Sequence, residues 1–272
     1  MPRATAQDVA EPAVDADANA SSYSAIGRAL RVINAVVEAS STGIGVSALA
    51  RDLELPKAVT HRILKALTTD GFLAFDEQTK TYSLGVGALK IGLAAVRLMD
   101  IPAAAKPFLY RLVEETGETA TLSIRDGWTR MYLDQVLSPK EVRMSVSIGH
   151  SYPLHAGSSS KAILAALPDA EIDEYLRLCK REQLTAATIV DAAKLRAEVA
   201  AIRRRGYAAS RGERQADAGS VACAVHHADG RVFGSLSVCG PAFRFDVAAQ
   251  RRIGGLVRDV GDELSKTVGY HP

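Results

Sequence analysis

Cysteine is scarce in this chain. Cys179, Cys223 and Cys239 are the only ones among 272 residues. An odd, widely spaced set of that size excludes a disulfide scaffold and fits a reducing compartment. No C-x-x-C or H-E-x-x-H spacing occurs, so no metal and no cofactor is expected. Long apolar runs are missing too. None reaches the roughly 18 residues a membrane span needs, so no membrane partner is expected. The N-terminus lacks a basic-then-apolar leader, which makes the cytoplasm the expected location. Excess charge of one sign is also lacking: 33 Lys and Arg against 31 Asp and Glu leave a formal net charge of +2. No global field draws this chain to nucleic acid, so any DNA binding must come from a local patch.

What is present is hydrophobic residue, 47% of the chain, in a length that suits about two domains. One stretch organises the first of them. From Gly45 to Asp70 the sequence reads as two short helices around a tight turn. Ser47 has the side chain of an N-cap. Leu49 and Leu53 fall on one face, four residues apart. Pro56 then opens a second helix, in whose first turn its missing N–H costs nothing. On that helix, Lys57 to Asp70, the residues Val59, Ile63, Ala66 and Leu67 share a side at about 100° per residue. Lys57, His61 and Lys65 share the other, flanked by Ala58 and Arg62. Helix, turn, and a helix with a small, basic outer face is the pattern of a helix-turn-helix. Gly71 suits a C′ position. After it, two β-prone runs surround Asp76 to Lys80 as a hairpin wing, placing Thr79, Lys80 and Tyr82 near phosphates or sugars.

Around this core the chain reads as follows. Residues 1–22 form a polar, aperiodic tail expected to be disordered. Tyr23 to Ala39 is an amphipathic helix with Ile26, Leu30, Ile33 and Val37 as its stripe and Ser40-Ser41-Thr42-Gly43 as its stop. Arg28 and Arg31 on its polar side are further phosphate-contact candidates. The winged helix-turn-helix domain is therefore expected over 23–85. Residues 86–100 read as a linker helix. Leu89, Leu93 and Val96 make one stripe, but Ile91 and Leu98 point elsewhere, so a second subunit is the expected cover. In 101–272 a helix over Pro107 to Thr116 precedes strands at Thr119 to Ile124, Arg130 to Val136 and Val142 to Ile148. Helices follow over Ser159 to Leu167, Glu171 to Cys179 and Asp191 to Arg205. Two more strands, Val221 to His226 and Val232 to Val238, precede a closing helix over Val247 to Val268. The expected class is α+β.

Four segments in this order resemble the IclR family of bacterial transcriptional regulators. They are SAIGRALRVINAV with the helix-turn-helix and the wing FDEQTKTYSLG; PLHAGSSSKAILA; RRRGYAASRGE; and DGRVFGSLSVCGP. The resemblance runs from about Tyr23 to the end. It implies a winged helix joined by a dimerising linker helix to a GAF-like α/β effector-binding domain. It also implies a homodimer or tetramer on a palindromic double-stranded operator, answering to a small organic or aromatic acid. The DNA-binding set, read from the helix faces and the wing, is Ser47, Lys57, Ala58, Thr60, His61, Arg62, Lys65, Thr79, Lys80 and Tyr82. The effector set that the resemblance implies is Tyr152, Ser158, Ser159, Ser210, Ser220, Ser237 and Cys239. Ser237 and Cys239 are two apart, so a strand would turn both to one side, which agrees with the resemblance by plain periodicity. Relatives that bind keto-acids often carry an acidic residue where Ser210 stands and a cysteine where Ser220 stands.

Two rival functions have a sequence basis. Ser158 and Lys161 have the S-x-x-K spacing of a serine hydrolase, but no K-T-G or S-D-N partner motif stands out. Cys223, Cys239 and the pair His226-His227 invite a thiol or metal sensor. Adjacent strand residues face opposite ways, however, and cysteine is commonly a small buried hydrophobe. A regulator rather than an enzyme is the expected reading.

Overall fold

The computed structural model describes residues 24–39 and 43–271. The expected tail, Tyr23 and the stop at Ser40-Ser41-Thr42 lie outside the described residues. Two compact units divide the chain, with the boundary between Ile91 and Gly92.

In the first unit, α1 (Ala25–Glu38) is capped by Ser24, whose hydroxyl accepts from the Gly27 N–H at 3.1 Å. Next come α2 (Val46–Asp52), α3 (Lys57–Thr69), and the hairpin β1 (Leu73–Asp76) and β2 (Thr81–Leu84). The linker helix α4 (Val86–Arg97) follows. Val32, Val36, Leu49, Leu64, Leu73 and Tyr82 form the unit's core. The apolar stripe expected on α1 is therefore inverted. Val32 and Val36 point inward, whereas Ile26, Leu30 and Val37 are exposed. Ser47 is not the cap of α2, because the helix begins one residue earlier behind Gly45. Pro56 likewise sits just outside α3, its carbonyl accepting from the Val59 and Thr60 N–H groups. Gly71 takes φ +69° at the end of α3. Gly85 is required by contact, since a Cβ there would stand 2.4 Å from the Gly71 carbonyl oxygen.

The second unit holds one antiparallel sheet of six strands, in the order β5-β4-β3-β8-β7-β6. In chain order the unit runs α5 (Asp100–Thr116), β3 (Thr119–Asp126), β4 (Thr129–Val136), β5 (Ser151–Pro153), α6 (Ser158–Ala166), α7 (Asp169–Leu178) and α8 (Ala192–Arg205). Then come β6 (Ala208–Arg211), β7 (Ala218–His226), β8 (Val232–Pro241) and α9 (Val247–Thr267). Side chains alternate on the strands. Ala120, Leu122, Val221, Cys223, Leu236 and Val238 join α5 and α9 in the larger core. The intervening residues are polar: Thr119, Thr121 and Ser123 on β3, Ser235 and Ser237 on β8. All five are buried. Alternation of this kind normally marks a face open to water. Here α6, α7 and α8 close over that face with their own core of Leu154, Ile163, Leu164, Leu195 and Ala222. A hydroxyl-lined layer is thus enclosed between sheet and helix.

Three readings need correction. α5 starts at Asp100 and runs through Pro107, whose absent N–H removes one helical bond without ending the helix. The segment Val142 to Ile148 is not a strand. Its backbone is held by side chains instead: the Gln135 amide bonds both the Val146 C=O and N–H at 2.9 and 3.0 Å, and Thr119 donates to the Met144 carbonyl at 2.6 Å. The strand pairing with β4 at that edge is the short β5. Finally, β6 was absent from the sequence reading; its four residues are too few for a period to register.

Candidate functional site

The helix-turn-helix presents a divided surface. Lys57, Ala58, His61, Arg62 and Lys65 are exposed on α3, while Leu64 faces the core. Thr60 belongs to the inner side. It is fully buried and its hydroxyl donates to the Pro56 carbonyl at 3.3 Å, so it does not reach a base edge. Tyr82 is also removed from the contact set. Its ring is buried in the core against Phe75, with centroids 4.7 Å apart. Ser47 is exposed on the first turn of α2, and Thr79 and Lys80 are exposed at the tip of the wing. That tip is ordered by Asp76, whose carboxylate accepts from the Gln78 and Thr79 N–H groups at 2.7 and 3.1 Å. The Thr79 bond, then that of Gln78, holds the Asp76 carboxyl below its usual range. Lys80 closes the turn at φ +56°.

The second site is a narrow cleft between α6 and the polar face of the sheet. Ser158, Ser159, Ser210, Ser220, Ser237 and Cys239 line it. Strand register explains much of the convergence: Ser210 pairs with Ser220, Ser220 with Cys239, and Thr121 with Ser237. Ser158 donates to the Ser220 hydroxyl at 2.7 Å, and the Thr121 and Ser237 hydroxyls lie 2.6 Å apart. The mouth of α6 is set by Gly157 at φ +88°, whose N–H donates to Glu213 at 3.1 Å. The other oxygen of Glu213 accepts from Lys161 at 2.5 Å, and Lys161 also donates to the Ala209 carbonyl at 3.0 Å. One buried ion pair therefore ties the loop, the helix and β6 together.

Two arginines in this cleft were missed by the sequence reading. Arg130 on β4 is buried, donating to the hydroxyls of Ser160 (2.9 Å), Ser123 (3.1 Å) and Tyr132 (3.0 Å). Its guanidinium lies 4.1 Å from the Tyr132 ring and 5.2 Å from that of Tyr152. Arg214 stands 4.5 Å from the Tyr152 ring. Tyr152 thus backs both cations rather than lining the cleft. Burial pulls the Arg130 pKa down, and the like charge of Arg214 adds to that. The sequence offered only that Arg130 and Tyr132 are two apart and so share a face of β4.

The rival chemistries do not assemble here. Lys161 is engaged by Glu213, and Ser158 is bonded to Ser220, so no lysine base meets the serine. Burial pushes the thiols of Cys223 and Cys239 up to about 12, which disfavours the reactive thiolate. His226 stacks on Tyr270 and His227 meets Phe233 edge-on. Among the described residues no group of three His, Cys, Asp or Glu side chains is arranged to hold a metal. No helix among them is long and apolar enough to cross a membrane.

Comparison with known proteins covers both units. The IclR helix-turn-helix domain matches residues 25–77, and the bacterial transcriptional regulator IclR C-terminal domain matches 93–266. The HTH-type transcriptional repressor AllR of Escherichia coli K12 is 30% identical over 238 residues, 87% of this chain and 88% of its own. A crystal structure of an IclR family transcriptional regulator from Brucella abortus superposes with a TM-score of 0.73 at 26% identity, covering 91% of this chain and 94% of that one. An IclR homolog from Microbacterium hydrocarbonoxydans, solved with 4-hydroxybenzoate, has a TM-score of 0.76. At 22% identity over 90% of this chain and 99% of that one, it shows the shared fold.

Proposed function

The chain belongs to the IclR family of bacterial transcriptional regulators, and from that premise we propose that it reads an operator through α3 and is switched by a small organic acid in the α6 cleft. The observation that carries the DNA half is the surface of α3. Lys57, Ala58, His61, Arg62 and Lys65 are free of the core while Thr60 and Leu64 anchor the opposite side. A helix so mounted enters a major groove with its N-terminal residues nearest the bases. Lys57, Ala58 and His61 then read base edges, and Arg62, Lys65, Ser47, Thr79 and Lys80 hold phosphates.

The functional particle is a homodimer or tetramer. Its cover for α4 is a second copy, because Val86, Leu89, Ile91 and Leu93 are all more than half exposed. Ile26 and Leu30 of α1 are exposed as well. Two recognition helices would enter grooves about one helical turn, or a multiple, apart. The acid acts only through its different affinity for the assembly geometries that do and do not fit the operator.

Substitution tests the division of labour. Lys80→Ala is expected to weaken binding alike on all sequences and to lower the salt slope by about one. Lys57→Ala is expected to change which sequence is preferred. Equal loss on specific and random duplex, measured by fluorescence anisotropy, would remove Lys57 from readout.

A further inference from the structure

The charge of the α6 cleft does not balance. Lys161 is neutralised by Glu213, and Glu118 at the far end is held by Lys140 and Arg244. Arg130 and Arg214 have no carboxylate among the described residues. The partners of Arg130 are three neutral hydroxyls and two tyrosine rings. The hydrogen bond shown for Arg214 goes to the neutral side-chain amide of Gln215, and its ring contacts are the same two tyrosines. Burying a cation without a counter-charge is costly, and two like cations sharing one aromatic box add repulsion to that cost. The first turn of α6 faces the same space, and its leading N–H groups have no acceptor within the helix. The lining carries two positive charges and no carboxylate; its other polar groups are neutral hydroxyls, the Gln215 amide and the Cys239 thiol, and Met144 and Val146 form an apolar wall.

We propose that the effector is a small dicarboxylate, a dianion whose two negative charges are matched by Arg130 and Arg214 while Met144 and Val146 cover its carbon skeleton. This rests on the reading of the cleft as the effector site. It narrows that reading from any organic acid to a doubly charged one. A monocarboxylate would leave one guanidinium without a counter-charge. A planar guanidinium suits carboxylate oxygens in pairs, and two such forks set both the charge and the spacing of the ligand.

The test is isothermal titration calorimetry on the full chain with malonate, succinate and phthalate. Each is paired with its singly charged counterpart, propionate, butyrate or benzoate, and inorganic phosphate serves as a control. The expected result is that at least one dicarboxylate binds roughly 10- to 100-fold more tightly than its counterpart, the range for one charged hydrogen-bonded contact. Arg214→Gln, half-buried and outside the core, is expected to abolish that preference while keeping the monocarboxylate affinity and the melting temperature. Arg130→Lys, which keeps the charge but loses the fork, is expected to weaken both members of each pair, because the single carboxylate of the monoacid also rests on Arg130. Equal affinity within every pair overturns the proposal, as does binding of phosphate alone, or no binding by any dicarboxylate. Operator release, read in parallel, separates the two claims. Release by monocarboxylates as effectively as by dicarboxylates leaves an acid-responsive regulator and removes the dianion. A dicarboxylate that binds without altering operator affinity leaves the charge assignment and removes the switch.

Discussion

Glu213 is the residue on which the cleft's geometry turns. Its two oxygens hold Lys161 and the Gly157 N–H, and both members of the ion pair are almost wholly buried. Removing one partner strands a charge rather than merely losing a bond. Glu213→Ala is therefore expected to cost about 3–5 kcal/mol in urea unfolding. A loss below about 1 kcal/mol, the range of surface pairs, would show that Lys161 finds water. His155 gives a second expectation. Its ring is enclosed, bonded to the Tyr175 hydroxyl at 3.1 Å and the Glu182 carbonyl at 2.9 Å, and burial holds its pKa below 6.5. As pH falls through about 6.5 the unfolded chain takes up a proton that the folded chain refuses, so stability is full above that value and declines below it. His155→Gln should flatten this decline when urea midpoints are compared between about pH 7.5 and about pH 5.5. An unchanged slope would place the acid sensitivity elsewhere.

At the scale of elements, α4 is unusual in burying none of its 12 residues although two thirds of them are apolar. Leu89→Glu with Leu93→Glu is expected to lower the sedimenting mass to that of the monomer. Because both side chains are exposed, it should leave the circular dichroism unchanged. An unaltered mass would move the subunit contact off this helix. The elements also show what was legible beforehand. α3, α8 and α9 carry long helical periods bounded by Pro, Asp or Gly, and their limits read to within a residue or so. The α1 stripe misled because two apolar faces coexist there, and period alone does not say which one faces its own core. Val142 to Ile148 misled because β-propensity was satisfied by Gln135 and Thr119 side chains instead of a neighbouring strand. In the cleft the hydroxyls were legible from spacing on β8 and from family resemblance. The arginines were not, since nothing local marks a charged strand residue as buried beside a rival charge.

For the molecule as a whole, two units joined through one helix make a regulator only if their binding equilibria are coupled. Coupling is reciprocal: an acid that weakens operator binding by some factor must itself bind less tightly, by that same factor, to the operator-bound protein. The net charge of +2 makes the background weak, so non-specific attraction is small and specificity must come from the contacts of α3. The most direct measurement is the affinity of the full chain for fragments of neighbouring promoters against a scrambled duplex, by anisotropy at physiological salt, with and without succinate. The account predicts one fragment bound more tightly than the scrambled duplex by about 10³-fold or more. It also predicts that a cleft-binding dicarboxylate changes that ratio. Equal affinity for every fragment and for the scrambled duplex, at low salt as well, would contradict it.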